Sequence, residues 1–227
     1  MLTDADIIDL TQPLGPATPP WPGGVAVTAT VTGSHDPDGY YARRVALDEH
    51  IGTHFDAPAH FAPGGATVES IPAGRLVRPA VVVDVADACD GDDDHAVTVA
   101  ELEAHEAVHG PIPAGCAVLV RTGWDRHRGD PARYVTALRF PGLHVDAARL
   151  LVDRGVVGIG IDTLSVDRGC DAACPAHHVT LPAGLWQLEG LVGLDRLPAT
   201  GAWVVVGVPP IVQASGFAAR VIAIVPR

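Results

Sequence analysis

The stretch His50-Ile-Gly-Thr-His-Phe-Asp-Ala-Pro-Ala-His60 limits the fold more than any other part of the chain. Three histidines and one carboxylate fall within eleven residues, interrupted by Gly52 and Pro58. In a flat strand His50 and His54 would stand roughly 13 Å apart, at about 3.3 Å rise per residue, too far for their side chains to share an ion. One helical turn or an equally tight bend would bring them within about 5–6 Å. The chain must therefore bend between them, and Gly52 supplies the freedom, because glycine enters positive φ at little cost. Pro58 stops any helix begun in this stretch. Asp56 adds an oxygen donor able to hold one ion or bridge two, and imidazole with carboxylate suits Zn, Mn or Fe better than Ca or Mg. His60, beyond the proline, is a further ligand or a proton carrier. A lone histidine would be read as a hydrogen-bonded core group; four titratable groups around a Gly and a Pro read as a metal site.

Length and composition bound the rest. At 227 residues the chain is expected to form one domain, 1–227, burying about 70% of its unfolded surface. The 48% apolar and 19% charged content is that of a globular protein, while 25 Gly and 20 Pro imply many turns and irregular loops. A formal charge of −12 repels polyanions, so nucleic acid is not an expected partner. No apolar run reaches the ~18 residues of a spanning helix, and Met-Leu-Thr-Asp-Ala-Asp lacks the layout of a signal peptide. The expectation is a soluble, cytoplasmic protein without membrane association. Four cysteines are too few to staple a chain of this size. Cys116 is expected to be buried. Cys170 and Cys174, just before His177 and His178, leave open a zinc corner or a disulfide.

In chain order, 7–10 reads as a short strand and the proline-rich 12–24 as a surface loop. Trp21, between Pro20 and Pro22 in that loop, is suited to walling a pocket. Segments 25–32 and 40–47 form a strand pair about the turn Asp36-Pro-Asp-Gly39, and the second strand leads to His50. Residues 81–85 read as a buried strand. The acidic run Asp90, Asp92, Asp93, Asp94 lacks the closing Glu of a calcium loop and reads as solvated charge. Thr98-Val-Ala-Glu101 is a capping box opening a helix that ends near Gly110; His105 and His109 on it are read as surface or packing residues. A strand at 117–122, a helix at 145–153 closed by Gly155, and a strand at 156–161 predict an α/β core with some parallel pairing. Function is expected at the strands' C-terminal ends. Segment 167–175 is expected to fold over the site as a lid, 183–188 to be partly helical, and 203–208 and 219–225 to be strands.

His50-x-Gly-Thr-His54-x-Asp56-x-Pro-x-His60 resembles the signature of the cyclase-like metal-dependent hydrolases, a family that includes bacterial kynurenine formamidases and isatin hydrolases. Pro-Ala-His177-His-Val-Thr-Leu and Leu-Glu189-Gly-Leu match the family's second cluster, and Asp9-Leu-Thr-Gln-Pro-Leu with Pro20-Trp-Pro-Gly23 resemble its opening segment. The resemblance implies a single α/β domain with a mixed β-sheet core flanked by helices, of swivelling β/α/β type. It implies that His50, His54 and Asp56 hold one divalent ion, and that Asp56, His177 and Glu189 hold or share a second. The ion is expected to be zinc first and manganese second, one or two per chain. The resemblance further gives His60 the acid/base role, sets Trp21 against the substrate, and implies a homodimer or higher homo-oligomer. The family's Gly-x-Pro-x-Arg segment is here Ser215-Gly-Phe-Ala-Ala-Arg220, without the proline, and Gly184 stands where helix-suited residues are usual; both bear on the substrate. The expected activity is metal-dependent hydrolysis of a small aromatic or cyclic amide, with N-formylkynurenine the leading small-molecule substrate. Isatin-type lactam opening, a cyclase or dehydratase of secondary metabolism, and metal storage without turnover are the competing readings.

Overall fold

The computed structural model describes residues 4–135 and 138–227; Met1, Leu2 and Thr3 of the opening hexapeptide lie outside the described residues. Among these residues, apolar runs broken by Gly, Pro and Asp give the strands β1 (Ala5–Asp9), β2 (Thr28–Gly33), β3 (Ala42–Ala46), β4 (His54–Asp56), β5 (Val77–Asp84), β6 (Ala96–Val97), β7 (Ala117–Arg121), β8 (Gly142–Leu143), β9 (Gly158–Ile161), β10 (Trp186–Glu189), β11 (Ala202–Gly207), β12 (Gly216–Ala218) and β13 (Arg220–Pro226). Nine of them join in one mixed sheet in the order β1-β13-β11-β5-β7-β9-β10-β4-β12. The centre, β5, β7, β9 and β10, is parallel, and the flanking strands are antiparallel to their neighbours. This is the mixed-sheet α/β unit that the sequence implies.

Successive side chains of a strand point to opposite faces, and here both faces are covered. Val81, Val83, Val118, Val120, Ile159 and Ile161 pack on one face beneath Leu102, Ala147, Ala148 and Leu151 of the helices Val99–His109 and Val145–Asp153. Val82, Leu119, Leu188, Val204 and Val221 belong to a second core on the other face. Burial on both sides is why the central strands read as unbroken apolar runs. The capping box is formed: the Thr98 hydroxyl accepts from the Glu101 N–H, and the Glu101 carboxylate accepts from the Thr98 N–H at 2.7 Å. Cys116 is buried, as expected.

One expectation needs correction. Residues 183–188 are not helical: a helix runs Pro175–Thr180, Pro182 and Gly184 (φ +83°) break the chain, and Trp186–Glu189 is inserted as β10 between β9 and β4. The acidic run lies at the surface, as expected, with Asp93 also paired to Arg133 at 2.6 Å, Asp94 to Arg139 and Asp90 to Arg126 at 3.5 Å. Of the alternatives left open for Cys170 and Cys174, the disulfide is not formed in this structure, where all four cysteines are free.

The approach of β9 to β10 depends on small residues. A Cβ on Gly158 would lie 2.2 Å from the Trp186 ring, which is fully buried and donates its Nε1–H to the Arg75 carbonyl at 3.1 Å. Gly158→Ala is therefore expected to destabilise the fold by about 1–3 kcal/mol through overpacking, measured as a lower urea midpoint at unchanged slope. An unchanged midpoint would mean that Trp186 yields freely.

Candidate metal centre

The parallel strands end together, and β4 lies beside the last of them. Glu189, at the C-terminal end of β10, is in register with His54 on β4. Cross-strand neighbours share a face, as do residues two apart on one strand, so His54, Asp56 and Glu189 point to the same side. The bend anticipated between His50 and His54 is present: Gly52 has φ +64°, and the two imidazole centroids are 5.4 Å apart. No helix forms there; His54 already belongs to β4, and Pro58 opens a 3₁₀ turn, Pro58–His60, that carries His60 out of the sheet. Gly190 (φ +64°) allows no side chain, because a Cβ would meet the Gly52 carbonyl at 2.6 Å. The two ligand-bearing turns thus interlock, and the Thr53 hydroxyl, donating to the Gly190 carbonyl at 2.6 Å, ties them.

His54 Nε2 lies 3.3 Å from Asp56 Oδ1 and 3.3 Å from Glu189 Oε2. His177 Nε2 lies 3.3 Å from Glu189 Oε1 and 3.6 Å from Asp56 Oδ2. These separations exceed a good N–H···O bond. They match the edge of a tetrahedron with metal–ligand bonds of about 2.0–2.1 Å, roughly 3.3 Å. His54 Nε2 and Asp56 Oδ2 are buried with no hydrogen-bond partner, a costly arrangement for polar atoms unless another group satisfies them. Each of the two carboxylates turns one oxygen to His54 and the other to His177. All five residues assigned to metal by the sequence are therefore brought together, with His50 Nδ1 2.6 Å from Asp56 Oδ1. The donor set of imidazoles and carboxylates, the spacing and the orphaned atoms all fit a divalent metal.

Two of the imidazoles are held by their outer nitrogen. His54 Nδ1 is 3.0 Å from the Gly52 carbonyl, which can only accept, so Nδ1 carries the proton and Nε2 faces the cluster. His177 Nδ1 is 2.6 Å from the buried Asp167 carboxylate, which also accepts from the N–H groups of Ala176 and His177. Asp167, within the segment expected as a lid, is a site residue that the motifs do not mark: its carboxylate fixes the orientation of the His177 ring. Ala172 and Cys174 of that segment instead form part of the cleft wall.

Without metal, the cluster is a set of mutually compensating charges. Burial alone would lower the pKa of His54, but the adjacent negative charges of Asp56 and Glu189 raise it to about 10. Burial would likewise lower His177, yet Asp167, Asp56 and Glu189 hold it well above the ordinary imidazole range. Burial would raise Asp56, but the adjacent imidazoles hold it well below the usual carboxylate range. His60 is different: burial, reinforced by the His50 and His177 charges against that of Asp56, lowers it to about 4. Its ring stacks on His50 with centroids 3.8 Å apart.

The cluster opens into a cleft of about 450 Å³ whose wall includes Trp21, His60, Phe61, Leu164 and Cys174. Trp21, which lines this cleft, is 41% exposed and meets Phe140 edge-to-face at 6.3 Å. A groove of about 510 Å³ elsewhere, beside His105 and Asp195, contains none of the cluster. Cys170 joins no metal-ligating cluster among the described residues, whereas Cys174 lies near Asp167 and His177.

Residues 8–168 match the family model described as putative cyclase. The chain belongs to the cyclase family. Among curated members, it is 32% identical to an isatin hydrolase of Roseibium aggregatum across 99% of this chain and 93% of that protein. It is also 32% identical to a kynurenine formamidase of Salinibacter ruber, across 85% of this chain and 84% of that one. Among solved structures of cyclase-family proteins, isatin hydrolase A from Labrenzia aggregata, bound to benzyl benzoate, superposes with a TM-score of 0.93 at 33% identity, covering 99% of this chain and 95% of that one.

Proposed function

We propose that this cyclase-family chain hydrolyses the bond between a carbonyl carbon and an aryl nitrogen in a small aromatic amide, using a divalent metal held by His50, His54, Asp56, His177 and Glu189. The carrying observation is the buried cluster at tetrahedral spacing, with His54 Nε2 and Asp56 Oδ2 unpartnered, beside a cleft with aromatic walls. Two ions are favoured over one, because Asp56 and Glu189 each divide their oxygens between His54 and His177. Zinc is the first candidate and manganese the second on donor type.

Bound at these residues, a divalent metal supplies an activated water at neutral pH and a polarised carbonyl. The protein's own groups do the rest. His60, neutral at pH 7, accepts a proton from the attacking water and passes it to the departing nitrogen as the C–N bond breaks. Trp21 stacks on the substrate's ring. Phe61 and Leu164 keep bulk water from the reacting carbonyl.

N-formylkynurenine contains such a bond and would place the chain in tryptophan catabolism. Isatin contains it within a lactam, and this second substrate is favoured by the near-complete coverage of the isatin hydrolases. Formate release from N-formylkynurenine and ring opening of isatin, each with and without a chelator, test the proposal. Turnover of at least one, abolished by chelation and restored by metal, is expected. Full activity in the stripped protein would overturn the mechanism, and no turnover of either by metal-loaded protein would favour a cyclase, a dehydratase or a metal-storing protein.

A metal ion must displace the proton that His54 holds up to about pH 10. As pH rises the proton leaves more readily, so apparent metal affinity is expected to increase at least tenfold per unit between pH 7 and 9, measured by competition with a chelating dye. A flat profile would show that the ion does not meet His54.

A homo-oligomer and a cytoplasmic setting belong to the same proposal. The β2–β3 hairpin supports the first: its residues, Val31 and Val45 included, are largely exposed, although an isolated hairpin is marginally stable in water. Four unpaired cysteines suit a reducing compartment and support the second. Among the described residues no helix is long and apolar enough to cross a membrane.

A further inference from the structure

His50 is the one histidine of the cluster whose outer support comes from a side chain pair that neither the signature nor the mechanism uses. Its Nε2 is 2.9 Å from the Ser215 hydroxyl. That hydroxyl is 2.7 Å from Glu49 Oε2, and the same carboxylate oxygen accepts the Ser215 backbone N–H at 3.0 Å. A serine hydroxyl has one proton, and a carboxylate can only accept. The Ser215 proton therefore goes to Glu49, and Ser215 Oγ is left to accept from His50 Nε2–H. A neutral imidazole carries a single N–H, so His50 Nδ1 is then a bare lone pair directed at Asp56 Oδ1, 2.6 Å away. Two lone pairs at that distance call for a cation: a proton on Nδ1 in the metal-free site, donated to Asp56, or the metal that takes its place.

The neighbouring backbone is shaped to the same ring. Gly216 pairs with Asp56 in the sheet, and a Cβ there would lie 2.4 Å from His50 Cε1. Ser215 and Gly216 open the segment in which this chain departs from the family's pattern. The His50 ring is thus held from one side by a hydroxyl and from another by a surface that tolerates no side chain.

We propose that Glu49 and Ser215 are positioning residues that fix His50 as the Nε2–H tautomer, so that it presents Nδ1 to the metal while His54 and His177 present Nε2. The proposal rests on the metal-hydrolase reading. Partners of this kind on a ligating histidine are worth about 10–100-fold in metal affinity when removed.

The test uses the full chain as wild type, Ser215→Ala, Ser215→Thr and Glu49→Gln, titrated with zinc against a chelating dye, together with long-range ¹H–¹⁵N spectra of the histidines. In the wild type, His50 is expected to show a protonated Nε2 and a Nδ1 whose resonance shifts on zinc addition. Ser215→Ala is expected to lose 10–100-fold in affinity and the fixed tautomer, with unchanged circular dichroism. Ser215→Thr, which keeps the hydroxyl, is expected to restore both, and Glu49→Gln to lie between. If the wild type binds zinc stoichiometrically but Ser215→Ala matches it in affinity and tautomer, or if His50 binds through Nε2, the positioning role is wrong and the metal reading stands. If the wild type binds no zinc, the metal reading falls and takes this role with it. Loss of fold in Ser215→Ala leaves the wild-type spectrum to decide, because the tautomer there is read without any variant.

Discussion

Asp56→Asn is expected to reduce kcat/KM by at least about a thousandfold and to bring metal content well below the wild-type stoichiometry. No other side chain touches so much of the site. One oxygen lies 2.6 Å from His50 Nδ1 and 3.3 Å from His54 Nε2, and the other lies 3.6 Å from His177 Nε2. The substitution keeps the volume but removes the negative charge and replaces one of the two oxygens that face the imidazoles with an amide nitrogen that cannot bind a cation. Losing several kcal/mol of transition-state charge stabilisation corresponds to three or more decades in rate. Circular dichroism checks that the fold survives. Near-wild-type kcat/KM with full metal content would show that Asp56 is a buried hydrogen-bonding group and nothing more.

His60→Ala is the second large effect, with a different signature. Removing a positioned proton carrier costs about 10²–10⁴ in kcat, and because the five metal residues remain, metal content is expected to stay at the wild-type level. The alternative that His60 is itself a ligand is separable, since it lies with His50 and Asp56 in one candidate ligand group; metal loss in the variant would mark it as one. The pH dependence follows from the sign of the shift. Burial lowers His60 to about 4, and the positive charge of a bound cation pushes in the same direction, so the proton-accepting form is populated throughout pH 5–8. The wild-type kcat/KM profile is then not expected to fall near pH 6.5 on account of His60. A limb at that pH that disappears in the variant would show an imidazole titrating in its ordinary range, with burial exerting no effect.

How much of this could be read from the chain depends on whether the information is local. The bend at Gly52, the helix opened by Thr98 and Glu101, and the apolar strand cores are set by residues close in sequence, and these were legible. The placement of Glu189 opposite His54 is a matter of sheet register, which spacing does not contain; the pairing of His177 and Glu189 with the first motif came from the family resemblance. Residues 183–188 misled because β10 is short and buried on both faces, leaving neither helical nor strand periodicity to read. The surface ion pairs of the acidic run could not be read, because Arg126, Arg133 and Arg139 come from a separate segment. Asp167, Glu49 and Ser215 escaped notice for another reason: they act by holding a histidine, and Asp, Glu and Ser in loops carry no mark of such a task. An Asp ten residues before His177, just past a strand end, was the one available hint.

The central claim is that side chains from β4, β10, the bend before β4 and the helix at Pro175–Thr180 meet around metal. Anomalous diffraction at the zinc edge from crystals of the metal-loaded protein tests it most directly. The account predicts a peak about 2.0–2.2 Å from His54 Nε2 and from oxygens of Asp56 and Glu189, with a second peak against His177 Nε2 if two ions bind. A zinc peak elsewhere on the molecule, or His177 and Glu189 turned away from His54 with zinc present, would contradict it.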